Sequence, residues 1–207
     1  MKKTRFAAIA GFALLLALTL AGCSNADSPE IAASASATRS AAAAPPAEVQ
    51  PLMAKYGLTG MGAVQAIDRL DRLAGVERPK DLMASVRPGE LVLSSGKAQY
   101  SLKIPDDRFY LSVAPYVNTT HKCFYHSLTT CQGELTGEDV RVQIVDRSTN
   151  KLLVEGPRTT FENGFVGFWL PRGVNGTLRV SYGGKTGEVE FSTGQDAPTC
   201  LTTLQLT

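Results

Sequence analysis

Two different hydrophobic periods divide this chain. Between residues 61 and 73, apolar residues recur at three-residue spacing while charged residues fill the other positions. That spacing is typical of an amphipathic helix with one buried face, so we predict a helix there. The charged residues assigned to its solvated face are Asp68, Arg69, Asp71 and Arg72. A second, short helix is predicted over residues 80–86, because Pro79 suits a first turn and Pro88 with Gly89 would end it.

After residue 89 the hydrophobic period changes to two. Such alternation is typical of half-buried strands. The segments that show it are 91–93, 100–104, 109–113, 140–144, 152–155, 165–170, 177–182 and 187–192. Asn-Gly and Gly-Gly pairs separate several of them, and such pairs are strong hairpin signals. Many short strands at regular spacing favour a sandwich or barrel-like sheet. The predicted fold class is therefore α+β, with a small helical N-terminal region before an antiparallel β-rich domain.

The first 22 residues have the pattern of an export signal. A positively charged start precedes an apolar run over residues 6–21. That run, about sixteen residues, is short for a membrane-spanning helix. It ends in Leu20-Ala21-Gly22-Cys23, the bacterial lipobox pattern, in which the Cys23 thiol receives a diacylglycerol group. We therefore expect an extracytoplasmic protein attached to the membrane through a lipid on Cys23. An ordinary signal peptide followed by a chance cysteine is the alternative.

Composition sets the remaining predicted boundaries. Residues 23–47 are mainly Ala, Ser, Thr and Pro, with no aromatic residue. Such a segment cannot bury enough apolar surface to offset the entropy that it loses on ordering. We predict a disordered tether there, followed by the helical region over 48–88 and the β-rich domain over 89–207.

The charge of the chain argues against a nucleic-acid partner. The sequence has 21 Lys and Arg residues against 19 Asp and Glu residues. Removal of the signal takes away Lys2, Lys3 and Arg5, which leaves 18 basic residues and the same 19 acidic ones. Because no basic excess remains to contact phosphates, we expect no nucleic-acid binding.

Metal-ligating side chains concentrate between positions 121 and 131. His121, Cys123, His126 and Cys131 lie there, and Cys200 adds a thiol near the C-terminus. Soft thiolates favour Cu(I), zinc or iron-sulfur iron, and imidazole suits copper and zinc. Three cysteines after the signal and lipobox cannot all pair with one another, and a three-thiolate metal site accounts for the odd thiol. These five residues are the candidate metal ligands.

Three other interpretations fit some of the same residues. Zinc also takes mixed cysteine and histidine sites, although the spacing does not match the usual ribbon or finger. A disulfide between Cys131 and either Cys123 or Cys200 would staple an exported interaction domain and leave the third thiol buried. The weakest interpretation is a nucleophilic enzyme that uses a thiol beside His126. The Cys and His of a catalytic pair are not usually close neighbours along the chain.

Longer motifs surround the candidate ligands and carry a family resemblance. They read HKCFYHSLTTCQGEL at 121–135, NGFVGFWLP at 163–171 and PTCLTTLQL at 198–206. Further motifs are YLSVAPY at 110–116 and IDRLDRL at 67–73. From about residue 48 to the end, the chain resembles the bacterial periplasmic copper-binding family CueP.

The resemblance implies a role in copper homeostasis and resistance, with copper as the bound metal. Cys123, Cys131 and Cys200 fall on the three cysteines of the family, and His121 and His126 lie in the same motif. It also implies reduction of Cu(II) to Cu(I) and a metallochaperone role with a copper-zinc superoxide dismutase as client. The protein is then a metal-binding protein with thiol-dependent reduction rather than a conventional enzyme. The lipobox departs from the better-known soluble relatives.

The thiols can serve both as ligands and as electron donors. Two thiolates that give two electrons to two Cu(II) ions leave a disulfide and Cu(I). We assign Cys123 with either Cys131 or Cys200 to that pair, and His121 and His126 as first ligands for incoming Cu(II). The sequence leaves open whether the helical region packs on its own domain or forms a homodimer.

Overall fold

The structure is a computed structural model, and it describes residues 45–207. The predicted export signal, the lipid-acceptor residue Cys23 and nearly all of the predicted tether lie outside the described residues, so they stay predictions. Within the described residues, no helix is both long and apolar enough to cross a bilayer.

Two short α-helices open the described chain. A 3-10 turn over Ala47–Val49 leads into α1 (Gln50–Lys55), and α2 spans Ala63–Asp71. The second helix confirms the one predicted between residues 61 and 73, and its apolar face is buried as expected. The assignment of Asp71 to the solvated face is wrong, because this side chain has no exposed surface.

The described chain continues through eleven strands. They are β1 (Met83–Val86), β2 (Glu90–Ser95), β3 (Ala98–Lys103), β4 (Arg108–Val113), β5 (His126–Ser127), β6 (Asp139–Asp146), β7 (Lys151–Thr159), β8 (Val166–Pro171), β9 (Asn175–Tyr182), β10 (Lys185–Ser192) and β11 (Cys200–Leu201). All eight predicted strands are present, with ends shifted by a few residues.

The strands form three sheets. Their strand orders are β3-β2-β1-β5, β10-β9-β6-β7 and β11-β4-β8. Neighbouring strands are antiparallel except β11, which runs parallel to β4, and an isolated parallel bridge joins Tyr116 to Gln205. This arrangement confirms the predicted α+β class with a mainly antiparallel, β-rich part.

The helix predicted over residues 80–86 is wrong, because Met83–Val86 forms strand β1. Ala84 and Val86 alternate as buried positions, which is the period of a strand. On one side β1 pairs with β2, and on the other it pairs with His126–Ser127. Pairing with β2 and β5 therefore decides the conformation of this segment, despite its local helix signals. The pattern of residues 79–89 alone cannot show that pairing.

Strand β4 separates two hydrophobic cores, because successive residues of a strand point to opposite faces. Leu111 belongs to the core formed with β6, β8 and β9, whereas Tyr110 packs with the helices and strands β1–β3. A third, small cluster contains Ala114, Phe165 and two of the cysteines. The candidate ligands therefore lie at the end of β4, beside both cores.

Candidate metal centre

Backbone pairing brings the five candidate ligands together from two parts of the chain, residues 121–131 and Cys200. His126 begins β5 and lies opposite Val86 of β1. Cys200 begins β11 and lies opposite Ser112 of β4. The remaining candidates occupy the loops on either side of β5. The site thus depends on two of the short strands that the hydrophobic pattern did not predict.

Two of the three thiols are joined. Cys123 and Cys200 form a disulfide, with Cα atoms 5.7 Å apart. Cys131 remains a thiol, with its Sγ 3.5 Å from the Sγ of Cys123. This pairing is one of the two that we assigned to the redox pair.

The alternative pairing of Cys131 with Cys123 or Cys200 is wrong, because the disulfide joins Cys123 to Cys200 and Cys131 is free. The backbone N–H groups of Thr199 and Cys200 both donate to the carbonyl oxygen of Phe124, at 3.0 and 3.2 Å. These bonds hold the start of β11 against the residue that follows Cys123. They therefore place Cys200 beside Cys123, to which it is bonded.

The donor atoms form two overlapping groups. His121, Cys123 and Cys131 make an outer set, and His126, Cys131 and Cys200 make an inner set. Within each set the donor atoms lie within 4.8 Å of one another. Cys131 belongs to both sets, so a metal ion could pass between them without losing that ligand. All three members of the inner set are buried.

The outer set borders an open cleft of about 440 Å³. His121 and Cys123 line it together with Tyr116, Thr120, Lys122, Thr202 and Thr203. Since the members of the inner set are buried, the cleft is the side from which solvent reaches the donors. His121 is accordingly the more accessible of the two imidazoles.

His126 and Asp71 form a buried ion pair. The Nε2 atom of His126 lies 2.8 Å from Oδ1 of Asp71, and neither side chain is exposed. Burial alone lowers the pKa of His126, but the adjacent carboxylate outweighs it and raises the pKa to about 9. Burial also acts to raise the pKa of Asp71, yet the charge and hydrogen bond of His126 bring that pKa below its ordinary value.

The same imidazole affects the Cys131 thiol. Burial raises the pKa of Cys131, whereas the nearby, positively charged imidazole of His126 lowers it to about 7. The backbone N–H of Ser127, 3.4 Å from Sγ, acts in the same direction. The lowered pKa favours the thiolate of Cys131, which is the form that binds metals and attacks disulfides.

The carboxylate of Glu134 orders the loop that precedes His121. It accepts backbone N–H groups from Val117, Asn118 and Thr119 at 2.8 to 3.1 Å. These bonds, together with the side-chain amide of Asn118, lower the pKa of Glu134 to about 2. The loop is thus fixed by a carboxylate that stays ionised at every physiological pH.

Sequence reasoning missed Asp71 and Thr199 as parts of this site. The helical pattern assigns Asp71 to the solvated face of the helix. The family motif over residues 67–73 contains Asp71, and it is the one sequence signal that could have identified this residue. The hydroxyl of Thr199 accepts the backbone N–H of His126 at 3.0 Å and donates to the carbonyl of Val86 at 2.6 Å. That hydroxyl links β11, β5 and β1 directly behind the candidate ligands.

The chain is similar to proteins of one known family. A family model described as "Periplasmic copper-binding protein CueP" matches residues 65–205. The crystal structure of S.CueP is similar at 41% sequence identity with a TM-score of 0.73, and the match covers 80% of this chain and 100% of that chain. Among curated proteins, none matches.

Proposed function

The chain belongs to the CueP family of periplasmic copper-binding proteins, and from that premise we propose that Cys123, Cys131 and Cys200 bind Cu(I) and that two of them reduce Cu(II). The observation that carries the proposal is the overlap of the two donor sets at Cys131. Cu(I) is a soft ion, and thiolates are its preferred protein ligands.

The disulfide supports the reductive half of the proposal. In that step Cys123 and Cys200 each give one electron to a Cu(II) ion, two Cu(I) ions form, and one sulfur–sulfur bond joins the two residues. Any proton still on either thiol passes to solvent. The Cys123–Cys200 disulfide is the protein product of this reaction.

Oxidation removes one thiolate from each donor set. The outer set loses Cys123 and the inner set loses Cys200. Cys131 then keeps only His121 in the outer set and only His126 in the inner set. We infer that the reduced protein holds Cu(I) and that the oxidised protein releases it. The two histidines contribute borderline nitrogen donors, with His121 receiving Cu(II) from the cleft.

Titration of the fully reduced protein with Cu(I), against a chromophoric Cu(I) chelator, tests the ligand assignment. We expect Cys123→Ser, Cys131→Ser and Cys200→Ser each to weaken binding at least about tenfold, because each removes a soft thiolate. We expect His121→Ala and His126→Ala to weaken it less. An equal loss from a histidine variant would overturn the assignment of the thiols as main ligands.

We further propose that a lipid on Cys23 anchors the protein. The support is the lipobox at residues 20–23. Cell fractionation tests this directly, since Cys23→Ala should move the protein from the membrane fraction to the soluble fraction. Retention of the variant in the membrane fraction would contradict the anchor.

We also propose that the protein delivers copper to a copper-zinc superoxide dismutase and that it forms a homodimer. Activation of copper-free dismutase by the Cu(I)-loaded protein tests the first. Sedimentation of the purified protein tests the second. No activation, or a monomer at all concentrations, would reject the respective proposal.

A further inference from the structure

Asp71 is a fully buried carboxylate with hydrogen-bond donors on both oxygens. Oδ1 faces Nε2 of His126 at 2.8 Å and the side-chain amide of Asn163 at 2.8 Å. Oδ2 accepts the hydroxyl of Tyr110 at 2.6 Å, with Ser112 at 3.4 Å. Its partners come from β4, β5 and the loop before β8, so its position is fixed from several directions.

This carboxylate determines which edge of the His126 ring faces the thiols. An ionised carboxylate only accepts hydrogen bonds, so Nε2 must carry the hydrogen in the contact with Asp71. The other ring nitrogen, Nδ1, then points to the opposite side, where it lies 3.8 Å from the Sγ of Cys200.

Two further contacts restrict the ring. Phe165 packs against it with ring centroids 4.5 Å apart. The backbone N–H of His126 is bound to the hydroxyl of Thr199, which fixes the main chain beneath the side chain. A ring that turned over would lose the Asp71 bond, and the carboxylate would be left buried without its cationic partner, which is costly.

We propose that Asp71 is the positioning residue of the inner donor set, holding Nε2–H of His126 so that Nδ1, after its proton passes to solvent, is the nitrogen that binds copper. The inference rests on the proposed function. A histidine that ligates a metal usually donates its other N–H to a carboxylate or carbonyl, and loss of that partner costs about 10–100-fold in metal affinity. Asp71 is placed to act in this way.

Two substitutions at residue 71 separate orientation from charge. In Asp71→Asn, the amide oxygen would occupy the side that meets two N–H donors, from His126 and Asn163. The amide NH₂ would then face the Tyr110 hydroxyl, which can accept it. This variant keeps the bond to Nε2–H without the negative charge, whereas Asp71→Leu removes both.

Asp68→Leu provides a matched control. Asp68 lies on the same helix and accepts a hydrogen bond from the indole Nε1 of Trp169 at 2.9 Å. The control therefore removes a carboxylate and an aromatic hydrogen-bond partner from α2 without touching His126. Any general loss of stability from a leucine on this helix affects both variants.

The experiment uses NMR of the protein with ¹⁵N-labelled histidine, reduced and anaerobic. In the metal-free protein we expect a protected Nε2–H resonance for His126 in wild type, Asp71→Asn and Asp68→Leu, and its loss in Asp71→Leu. Cu(I) is diamagnetic, so its addition should shift Nδ1 while Nε2 keeps its proton. Competition with a Cu(I) chelator should show about 10–100-fold weaker binding only in Asp71→Leu.

The outcomes separate this inference from the function on which it rests. Cu(I) binding that shifts Nε2, or neither nitrogen of His126, would overturn the positioning role while leaving Cu(I) binding by the thiols intact. Unchanged affinity in a folded Asp71→Leu would do the same. Absence of Cu(I) binding in wild type would reject the proposed function and the inference together. If Asp71→Leu does not fold, the wild-type spectra alone decide between Nδ1 and Nε2.

Discussion

The Sγ atom of Cys131 lies 3.5 Å from the Sγ atom of Cys123, although Cys123 is already bonded to Cys200. A thiol with a pKa of about 7 is thus held against one sulfur of a disulfide. Thiolates attack disulfides at a single sulfur and release the other as a thiolate. Cys123 can therefore form a disulfide with either Cys131 or Cys200.

This contact predicts that the disulfide moves when Cys200 is removed. On oxidation, Cys200→Ser should form a Cys123–Cys131 disulfide, because the Cys131 sulfur is already in contact distance. Peptide mapping under non-reducing conditions identifies the pair. Cys131→Ser is the control and should retain the Cys123–Cys200 disulfide. If Cys200→Ser yields only free thiols or intermolecular dimers, the three cysteines do not share Cys123.

The low pKa of Cys131 predicts its reactivity towards a small alkylating agent. In protein with the Cys123–Cys200 disulfide intact, the alkylation rate of Cys131 should reach half its maximum near pH 7. His126→Ala removes the imidazole that lowers the pKa, so the midpoint should move towards the ordinary value of 9.0. Mass spectrometry of the labelled peptide measures the rate. An unchanged midpoint in His126→Ala would show that the imidazole does not set the pKa of the thiol.

The pKa shifts of His126 and Cys131 have opposite effects on stability. His126 titrates near pH 9 when folded and near 6.5 when unfolded, so its contribution is complete below pH 6.5 and is lost towards pH 9. Cys131 titrates near pH 7 when folded and near 9 when unfolded, so its contribution grows between those values. We therefore expect the stability of the wild-type protein to change little between pH 7 and 9.

Removing the thiol should reveal the contribution of the imidazole. In Cys131→Ala, the free energy of unfolding should fall as the pH rises from 7 to 9, with a limiting slope of about 1.4 kcal/mol per pH unit. Urea unfolding at several pH values measures it, with the Cys123–Cys200 disulfide kept intact in both proteins. A variant whose pH dependence equals that of wild type would contradict the opposing shifts.

Gly167 packs closely on Tyr110, so a larger residue at position 167 would disturb the site through Tyr110. A Cβ at position 167 would overlap the phenol of Tyr110, the group that donates to Asp71. We expect Gly167→Ala to destabilise the protein by about 1–3 kcal/mol, the usual cost of overpacking. Urea unfolding measures this against Gly75→Ala, where a Cβ meets nothing within 4 Å. Equal stabilities would mean that Tyr110 moves aside without cost.

The sequence predicted the parts of the fold that local periodicity determines. Helix α2 and eight strands follow from spacing within short windows, because burial of one face imposes a period. Strand β1 was missed because its pairing with β2 and with His126–Ser127 decides its conformation. A short strand of this kind has no distinctive pattern of its own.

The site shows the same division between local and distant information. Residue type and clustering were sufficient to single out the cysteines and histidines, and the structure brings all five together. Asp71 was not predicted, because its partners Tyr110 and Asn163 lie 39 and 92 residues away along the chain. The pairing of Cys123 with Cys200 was likewise one of two options until β11 was placed beside β4.

Anaerobic addition of Cu(II) to the fully reduced, metal-free protein tests whether its cysteines reduce copper. Cu(I) is followed with a specific chromophore, free thiols are counted before and after, and the new disulfide is mapped. We expect two thiols to disappear for every two Cu(I) ions formed, and the new disulfide to join Cys123 to Cys200. Thiols that stay free while no Cu(I) appears would contradict this expectation, and the protein would then be a copper binder without reductive chemistry.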